Sequence, residues 1–600
     1  MTPPPGSAWA PGLQSDIPHE LRPLITLFRP AHAFVDHAQA SELSGFCGLN
    51  VLELVSLRPE RLVMHELLIR VTADLSVPDG PGYETLGLNL RAMVATIHER
   101  HVAERMPDIV EAFETERRAA SGYVAQELSE QVFGPDPERA GAAAATPRTL
   151  LDRLFGRAAV TPPDRGTDGP AGAPGDTPRE LRAAERWRAR IETGGETPLH
   201  RACLTALVAV VDAVVGHRGR LPADPELITR LVVDRVCGEH GSRLVGALVE
   251  PAFRAAVAAE GFRLLPAQHD PVVLNVKGAS ASGKSTIRPQ QRALAERLGI
   301  AWEDFALISP DYWRKYLLDY ASLGEHARYG AMLTGSELEL IDRKLDRYMA
   351  DKAAAGGMSH LLIDRFRFDS FTLPVGRTAD SRLLSRFGRR VFMFFLITPP
   401  AETVERAWKR GHATGRFKAV DDLLFHNVEA FTGMPALFLS WVGATDREVH
   451  FEFLDNDVPE GDLPRTAAFG HNGSMTILDV GKMLDVDRYR RVDVEAEGPE
   501  QIFDQPGQAA SASLGFVHRC IQGIEEVVFA DGTSGSAYAH FVRGHPAWWD
   551  VAYLASLPVE DDRRLVLEAF GCTGQRSPTG TGAPVLDVPH EKRLTLGRWP

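Results

Sequence analysis

The spacing of hydrophobic positions changes at Pro271. Before it, apolar residues recur at mixed three- and four-residue intervals. This pattern predicts helices over His19–Phe28, Ser41–Leu57, Arg61–Leu75, Leu86–Glu104 and Pro107–Val132, broken at Val77–Tyr83 by Pro and Gly. A second helical block is predicted from about Glu180 to Gly261, with an apolar helix at Ala202–Val215 and a strongly periodic one at Pro225–Val236. From Pro271 onward, short apolar runs alternate with helix-like segments. The runs are Val272–Val276, Phe305–Ile308, Leu361–Ile363, Val391–Ile397 and Val449–Leu454. Such alternation predicts a parallel sheet with crossover helices.

Composition divides the chain further. Residues 134–180 are dominated by Ala, Gly, Pro, Asp and Arg, which bury little, and read as a flexible linker with a short helix at Thr149–Phe155. Residues 504–514 (DQPGQAASASL) read the same way. The expected organisation is a helical N-terminal domain (1–133), a linker (134–180), a helical domain (181–265), an α/β domain (266–500), a linker (501–514) and a small mixed C-terminal region with an extended tail (515–600). The expected fold class is thus an α/β domain with helices on both faces of a parallel sheet, preceded by a mainly α-helical region.

The net charge of −14 argues against a chain whose main task is to hold nucleic acid by its phosphates. No apolar run approaches the ~20 residues a membrane-spanning helix needs. Leu204–Val215 is interrupted by Asp212, and Val391–Ile397 has strand length. The opening MTPPPGSAWAPG lacks a basic region followed by an apolar stretch, so no signal peptide is expected and a cytoplasmic location is. The five cysteines show no Cys-x-x-Cys spacing and are expected to be reduced, buried thiols.

The sharpest motif is Gly278-Ala-Ser-Ala-Ser282-Gly283-Lys284-Ser285, followed by Thr286. It follows the strand-like VVLNV and precedes the helix-like QQRALAERL, which is the setting of a phosphate-binding P-loop. Glycines let successive backbone N–H groups face phosphate oxygens. Lys284 neutralises their charge, Ser285 offers a hydroxyl to Mg2+, and the helix N-terminus adds its dipole. ATP and Mg2+ are the expected cofactors.

Four downstream features point to phosphoryl transfer. Phe305-Ala-Leu-Ile-Ser-Pro-Asp311 ends an apolar strand with a carboxylate placed to accept a hydroxyl proton, or else to cap the helix Tyr312–Tyr320. Leu361-Leu-Ile-Asp364 ends another strand in an acid suited to Mg2+ or to the acceptor. Thr334-Gly-Ser-Glu337 opens a long helix with Glu337 in its first turn, either solvated or binding substrate. Arg406, Lys409, Arg410, Arg416 and Lys418 fall within thirteen residues free of acids, with Gly411 and Gly415 as hinges, and read as a basic lid.

This order of elements, over about 271–457, resembles the zeta-toxin kinases, a branch of small P-loop kinases. The resemblance implies that Lys284 and Ser285 bind ATP·Mg2+, that Asp311 is the base, and that Glu337 and Asp364 hold the acceptor. It makes Arg410 and Arg416 the lid arginines, with Arg406 a third, and suggests the 3′-hydroxyl of a UDP-N-acetyl amino sugar as acceptor. The loop lacks the proline common in that family, and position 364 carries Asp where Glu is usual. Phe366, Arg367 and Phe368 would shape a different acceptor pocket, or pack within their loop. The expectation is an ATP- and Mg2+-dependent phosphotransferase acting on a small-molecule hydroxyl as a toxin or effector. The helical N-terminal region would engage an inhibitory or recruiting protein partner. The alternatives are a metabolic or detoxifying kinase, a protein kinase, and a nucleotide-driven switch.

Overall fold

The computed structural model describes residues 6–80, 84–134, 177–364, 388–503, 513–573 and 582–599. The expected linker core, the short helix at 149–155, and Phe366, Arg367 and Phe368 lie outside the described residues. The chain forms two compact units. One comprises Leu27–Glu66 and Val102–Ala252; the other comprises Met1–Thr26, Leu67–His101 and Phe253–Pro600.

The first unit is helical. Its helices include His37–Cys47, Met106–Leu128, Arg179–Thr193, Pro198–Arg218 and Pro225–Val236. The helix expected over Ser41–Leu57 stops at Cys47, because Gly48 adopts φ +73° and ends it in a left-handed cap; a short 3-10 turn, Val51–Leu54, follows. Thr197 and Asp224 cap the next helices by accepting from the backbone N–H of His200 and Leu227, with Pro198 and Pro225 in the first turns. Trp187 is fully buried, and its indole N–H donates to Glu127 at 2.9 Å. Arg190 ties the same carboxylate to Tyr123 and Glu196. Among the described residues, one helix, Pro198–Arg218, is long and apolar enough by length and composition to cross a membrane, although 44% of its most apolar window is buried within the protein. All five cysteines are free and buried.

The second unit is built on one sheet of ten strands: β1 (Val272–Lys277), β2 (Phe305–Ile308), β3 (His360–Asp364), β4 (Arg390–Ile397), β5 (Glu448–Asp455), β6 (Arg465–His471), β7 (Ser474–Ile477), β8 (Glu526–Ala530), β9 (Ala537–Val542) and β10 (His545–Trp549). Their order is β10-β9-β8-β7-β6-β5-β4-β1-β3-β2. Strands β2, β3, β1, β4 and β5 are mutually parallel. They coincide with the five apolar runs, and β1 and β2 are buried at every position, as a parallel sheet covered on both faces requires. Strand β1 lies between β3 and β4, so the chain turns to opposite sides of it. Ligand crevices form at such a switch point, beyond the strand C-termini.

The sheet continues past β5 through β6 to β10, so residues 526–549 extend the same sheet as the central strands. The unit also joins stretches that the sequence boundaries keep apart. Asp74 accepts from Tyr348 and from Lys352, the latter at 2.8 Å. Buried Asp79 accepts from Arg292 and from the Trp302 indole. At the other end of the chain, Arg598 pairs with β6, while Glu452 accepts from the backbone N–H of Leu596 and Gly597 and from the Thr466 hydroxyl. Burial pushes the Glu452 carboxyl up to about 7 despite these three donors.

Candidate active-site cleft

A cleft of about 1440 Å³ lies beyond the C-terminal ends of the parallel strands. The glycine-rich loop leaves β1 at Gly278 and enters a 3-10 turn at Lys284–Ile287, continued by the helix Arg288–Arg297. Two conformations in the loop set its course. Gly283 has φ +93°, and a Cβ there would stand 2.4 Å from Asn456 Nδ2, so only glycine fits. Ala281 has φ +61°, a strained conformation for a residue with a side chain. The Thr286 hydroxyl donates to the Gly283 carbonyl at 2.7 Å and closes the turn. The ammonium of Lys284 donates to the carbonyls of Gly278 and Ala279, at 3.1 and 2.8 Å. Burial holds it below the ordinary lysine range, against the pull of Asp364 and Asp311; Arg410 and Arg416 add to the depression.

Asp311 faces the cleft but does not cap a helix. Ser309 precedes the 3-10 turn Pro310–Trp313, and the helix expected over Tyr312–Tyr320 is reduced to Arg314–Leu317. The Asp311 carboxylate is instead divided between two guanidinium groups. Arg314 Nε meets Oδ1 at 2.9 Å and Arg416 Nη2 meets Oδ2 at 2.5 Å. Desolvation would raise this carboxyl, but Arg416 and Arg314 outweigh it and hold it well below the usual carboxylate range. Arg314 is itself anchored on the Ala331 carbonyl and the Thr334 hydroxyl. Asp364, at the end of β3, accepts from Ser309 Oγ at 3.5 Å and lines the cleft.

The basic segment forms the facing wall. The helix Pro400–Thr414 ends at Gly415, φ +76°, and Arg410, Arg416 and Lys418 all line the cleft. Lys418 Nζ reaches the His426 ring at 2.5 Å and Asp422 at 3.3 Å. Burial, opposed by Asp422, brings the Lys418 ammonium down to about 8. His426 is driven well below the ordinary histidine range by burial and by Lys418, so it stays neutral and accepts.

Most of the expected residues therefore converge: Lys284, Ser285, Asp311, Asp364, Arg410 and Arg416 share one cleft. Two stand differently from the expectation of substrate binding. Glu337 is completely buried in the interior and does not line the cleft. Its helix, Gly335–Ala354, turns Leu338, Glu339 and Asp342 toward the cleft. Arg406 lies at the cleft wall, but its guanidinium donates to the carbonyls of Asn456 and Val458, at 2.8 and 3.4 Å, and pairs with Glu402. It braces the protein's own loop. Conversely, the sequence pattern does not single out Arg314, Thr398 or Asn456. Arg314 carries one signal, a spacing of three from Asp311; Thr398 and Asn456 carry only their place just after apolar strands. Among the described residues, no group of three or more His, Cys, Asp or Glu side chains is arranged to hold a metal ion. Comparison with known proteins returns no matching family model, no matching curated protein and no matching solved structure.

Proposed function

We propose that the cleft binds ATP with Mg2+ and transfers its terminal phosphoryl group to a hydroxyl of a small molecule, in the manner of the zeta-toxin-like kinases. One observation carries this reading: Lys284, Arg410 and Arg416 are gathered around the Asp311 carboxylate beside a glycine-rich loop at the strand C-termini. Like charges held together at mutual cost are relieved by a polyanion. The loop itself suits phosphate. Its path excludes a side chain at Gly283, where a Cβ would meet Asn456, and at Gly278, where one would stand 2.6 Å from Ser282 Oγ, so the loop is drawn tightly against the strand ends. Ser282 Oγ is buried without a hydrogen-bond partner. Ser285 and Asp364 would hold Mg2+. Such an ion keeps several waters and would be completed by phosphate oxygens.

ATP supplies the phosphoryl group. The chain's own residues bind and orient. Lys284 would leave the carbonyls of Gly278 and Ala279 for phosphate oxygens. Arg410 would meet charge that develops during transfer, and Arg416 would join it on releasing Asp311 Oδ2. The freed oxygen would take the acceptor's proton, while Arg314 keeps hold of Oδ1. Little covalent chemistry is asked of the protein; positioning and charge stabilisation do most of the work.

The test is to incubate the protein with γ-labelled ATP, Mg2+ and a metabolite extract, then find the label by mass spectrometry. Label on an organic hydroxyl supports the reading. Release of inorganic phosphate alone would favour a nucleotide switch.

A further inference from the structure

The glycine-rich loop takes its shape partly from two side chains that are distant in sequence. Thr398 stands one residue beyond β4 and Asn456 one residue beyond β5, at matching positions on adjacent parallel strands, since Ile397 and Asp455 are in register. Both are buried, Thr398 completely. Both donate to the same atom: Thr398 Oγ1 lies 3.0 Å and Asn456 Nδ2 2.7 Å from the carbonyl oxygen of Ser282. A carbonyl oxygen has two lone pairs, so these donors saturate it. Asn456 is fixed in turn by its own backbone, which donates to Ile397 and accepts from Arg406.

The consequence lies on the other side of the peptide. In a trans peptide the N–H points opposite to the C=O. Drawing the Ser282 carbonyl toward the strand ends therefore turns the Gly283 N–H away from them, toward the cleft. Flipping this peptide would leave the buried Thr398 and Asn456 donors without their acceptor at the strand ends and aim the carbonyl oxygen at any bound phosphate. The glycine at 283 permits either orientation, so the choice falls to Thr398 and Asn456.

We propose that Thr398 and Asn456 are positioning residues that set the Ser282–Gly283 peptide for the terminal phosphates of a nucleoside triphosphate. This rests on the nucleotide-binding reading above. Because both donors serve one oxygen, either alone preserves part of the orientation. Losing both costs more than the product of the single losses.

The experiment is calorimetric titration of the full chain with MgATP and, separately, with inorganic tripolyphosphate, alongside the ligand-free melting temperature. Thr398→Val is nearly isosteric and should weaken both ligands about threefold to tenfold; Asn456→Ala should weaken them roughly tenfold. Asn456→Asp presents an acceptor to the carbonyl and should cost more than Asn456→Ala. Thr398→Ser keeps the hydroxyl and should restore near wild-type affinity. If Asn456 variants fail to fold, the Val and Ser pair at 398 decides alone. Wild-type protein that binds neither ligand would overturn the nucleotide reading itself. Wild-type binding with unchanged affinity in folded Thr398→Val or Asn456→Ala protein would overturn the positioning role. Lower melting temperatures at unchanged affinity would do the same, since they indicate packing alone.

Discussion

The two walls of the cleft are held by different chemistry. On the loop wall, neutral buried donors from Thr398 and Asn456 fix a backbone carbonyl, and Thr286 closes the turn on another. On the lid wall, charged side chains are paired with one another: Arg416 with Asp311, and Lys418 with Asp422, with neutral His426 accepting from Lys418. Neutral hydrogen bonds to buried backbone have no alternative partner at hand, so they persist when a ligand arrives. Ion pairs facing a cleft can be exchanged for a ligand's charge at small net cost. On the proposed reading, the loop wall would serve ground-state binding and the lid wall the changes that accompany transfer.

Substitutions can break or sharpen that division. The largest joint effect on binding and turnover is expected for Lys284→Ala, which removes the loop's own cation together with its donors to the Gly278 and Ala279 carbonyls. Binding of ATP and turnover should fall together, by roughly 10²–10³-fold or more, as measured by calorimetry and label transfer. Retained transfer would dismiss the loop as the phosphate site.

Arg416→Ala and Arg410→Ala should depress turnover by about 10²-fold while changing ATP affinity much less. Equal losses in both would move these arginines to the ground-state wall. Arg416→Ala has a second signature. Its guanidinium is a main cause of the low Asp311 pKa. Without it the carboxyl titrates at higher pH, so the acid limb of the pH–rate profile should shift upward.

A smaller effect concerns the basic limb. The Lys418 ammonium sits near 8, so its charge is lost as pH rises through that value. Turnover should decline above about pH 8, and Lys418→Arg, which stays charged, should flatten the decline. An unchanged limb would exclude Lys418 from the working lid.

The smallest effect is on stability, away from the cleft. Glu452 is raised from 4.5 to about 7 in the folded chain. Between these values the folded state holds a proton that the unfolded state has released. Its contribution to stability is therefore full below the lower value and lost as pH rises through the upper one. Melting temperature should fall over this window in the wild type and fall less in Glu452→Gln. Parallel slopes would mean that Glu452 is not the titrating group.

The sequence made some of this legible and hid the rest for identifiable reasons. The five parallel strands stand out because β1 to β4 are near-continuous apolar runs bounded by polar residues and β5 (EVHFEFLD) sets Val449, Phe451 and Phe453 at every second position. Strands β9 (AYAHFV) and β10 (HPAWW) mix Ala, His and Pro, carry no clear alternation, and become visible only through their pairing. The glycine-rich loop was readable because its chemistry constrains consecutive residues. Glu337 could be placed at a helix start, but helical phase decides which face meets the cleft, and that phase favours Glu339 and Asp342. The basic run disclosed a cationic wall without saying that Arg406 would brace the 456–458 backbone. Thr398 and Asn456 are single polar residues after strands, indistinguishable in sequence from ordinary turn residues.

The central claim is that Asp311 acts in transfer while the loop binds ATP independently of it. The most direct measurement sets wild type beside Asp311→Asn, recording the ATP dissociation constant and the rate of labelled-acceptor formation. Asn keeps the size of the side chain but takes no proton at neutral pH. ATP affinity should stay within a few-fold, and transfer should fall by roughly two to four orders of magnitude. Transfer at close to the wild-type rate would contradict the account and move the base to Asp364.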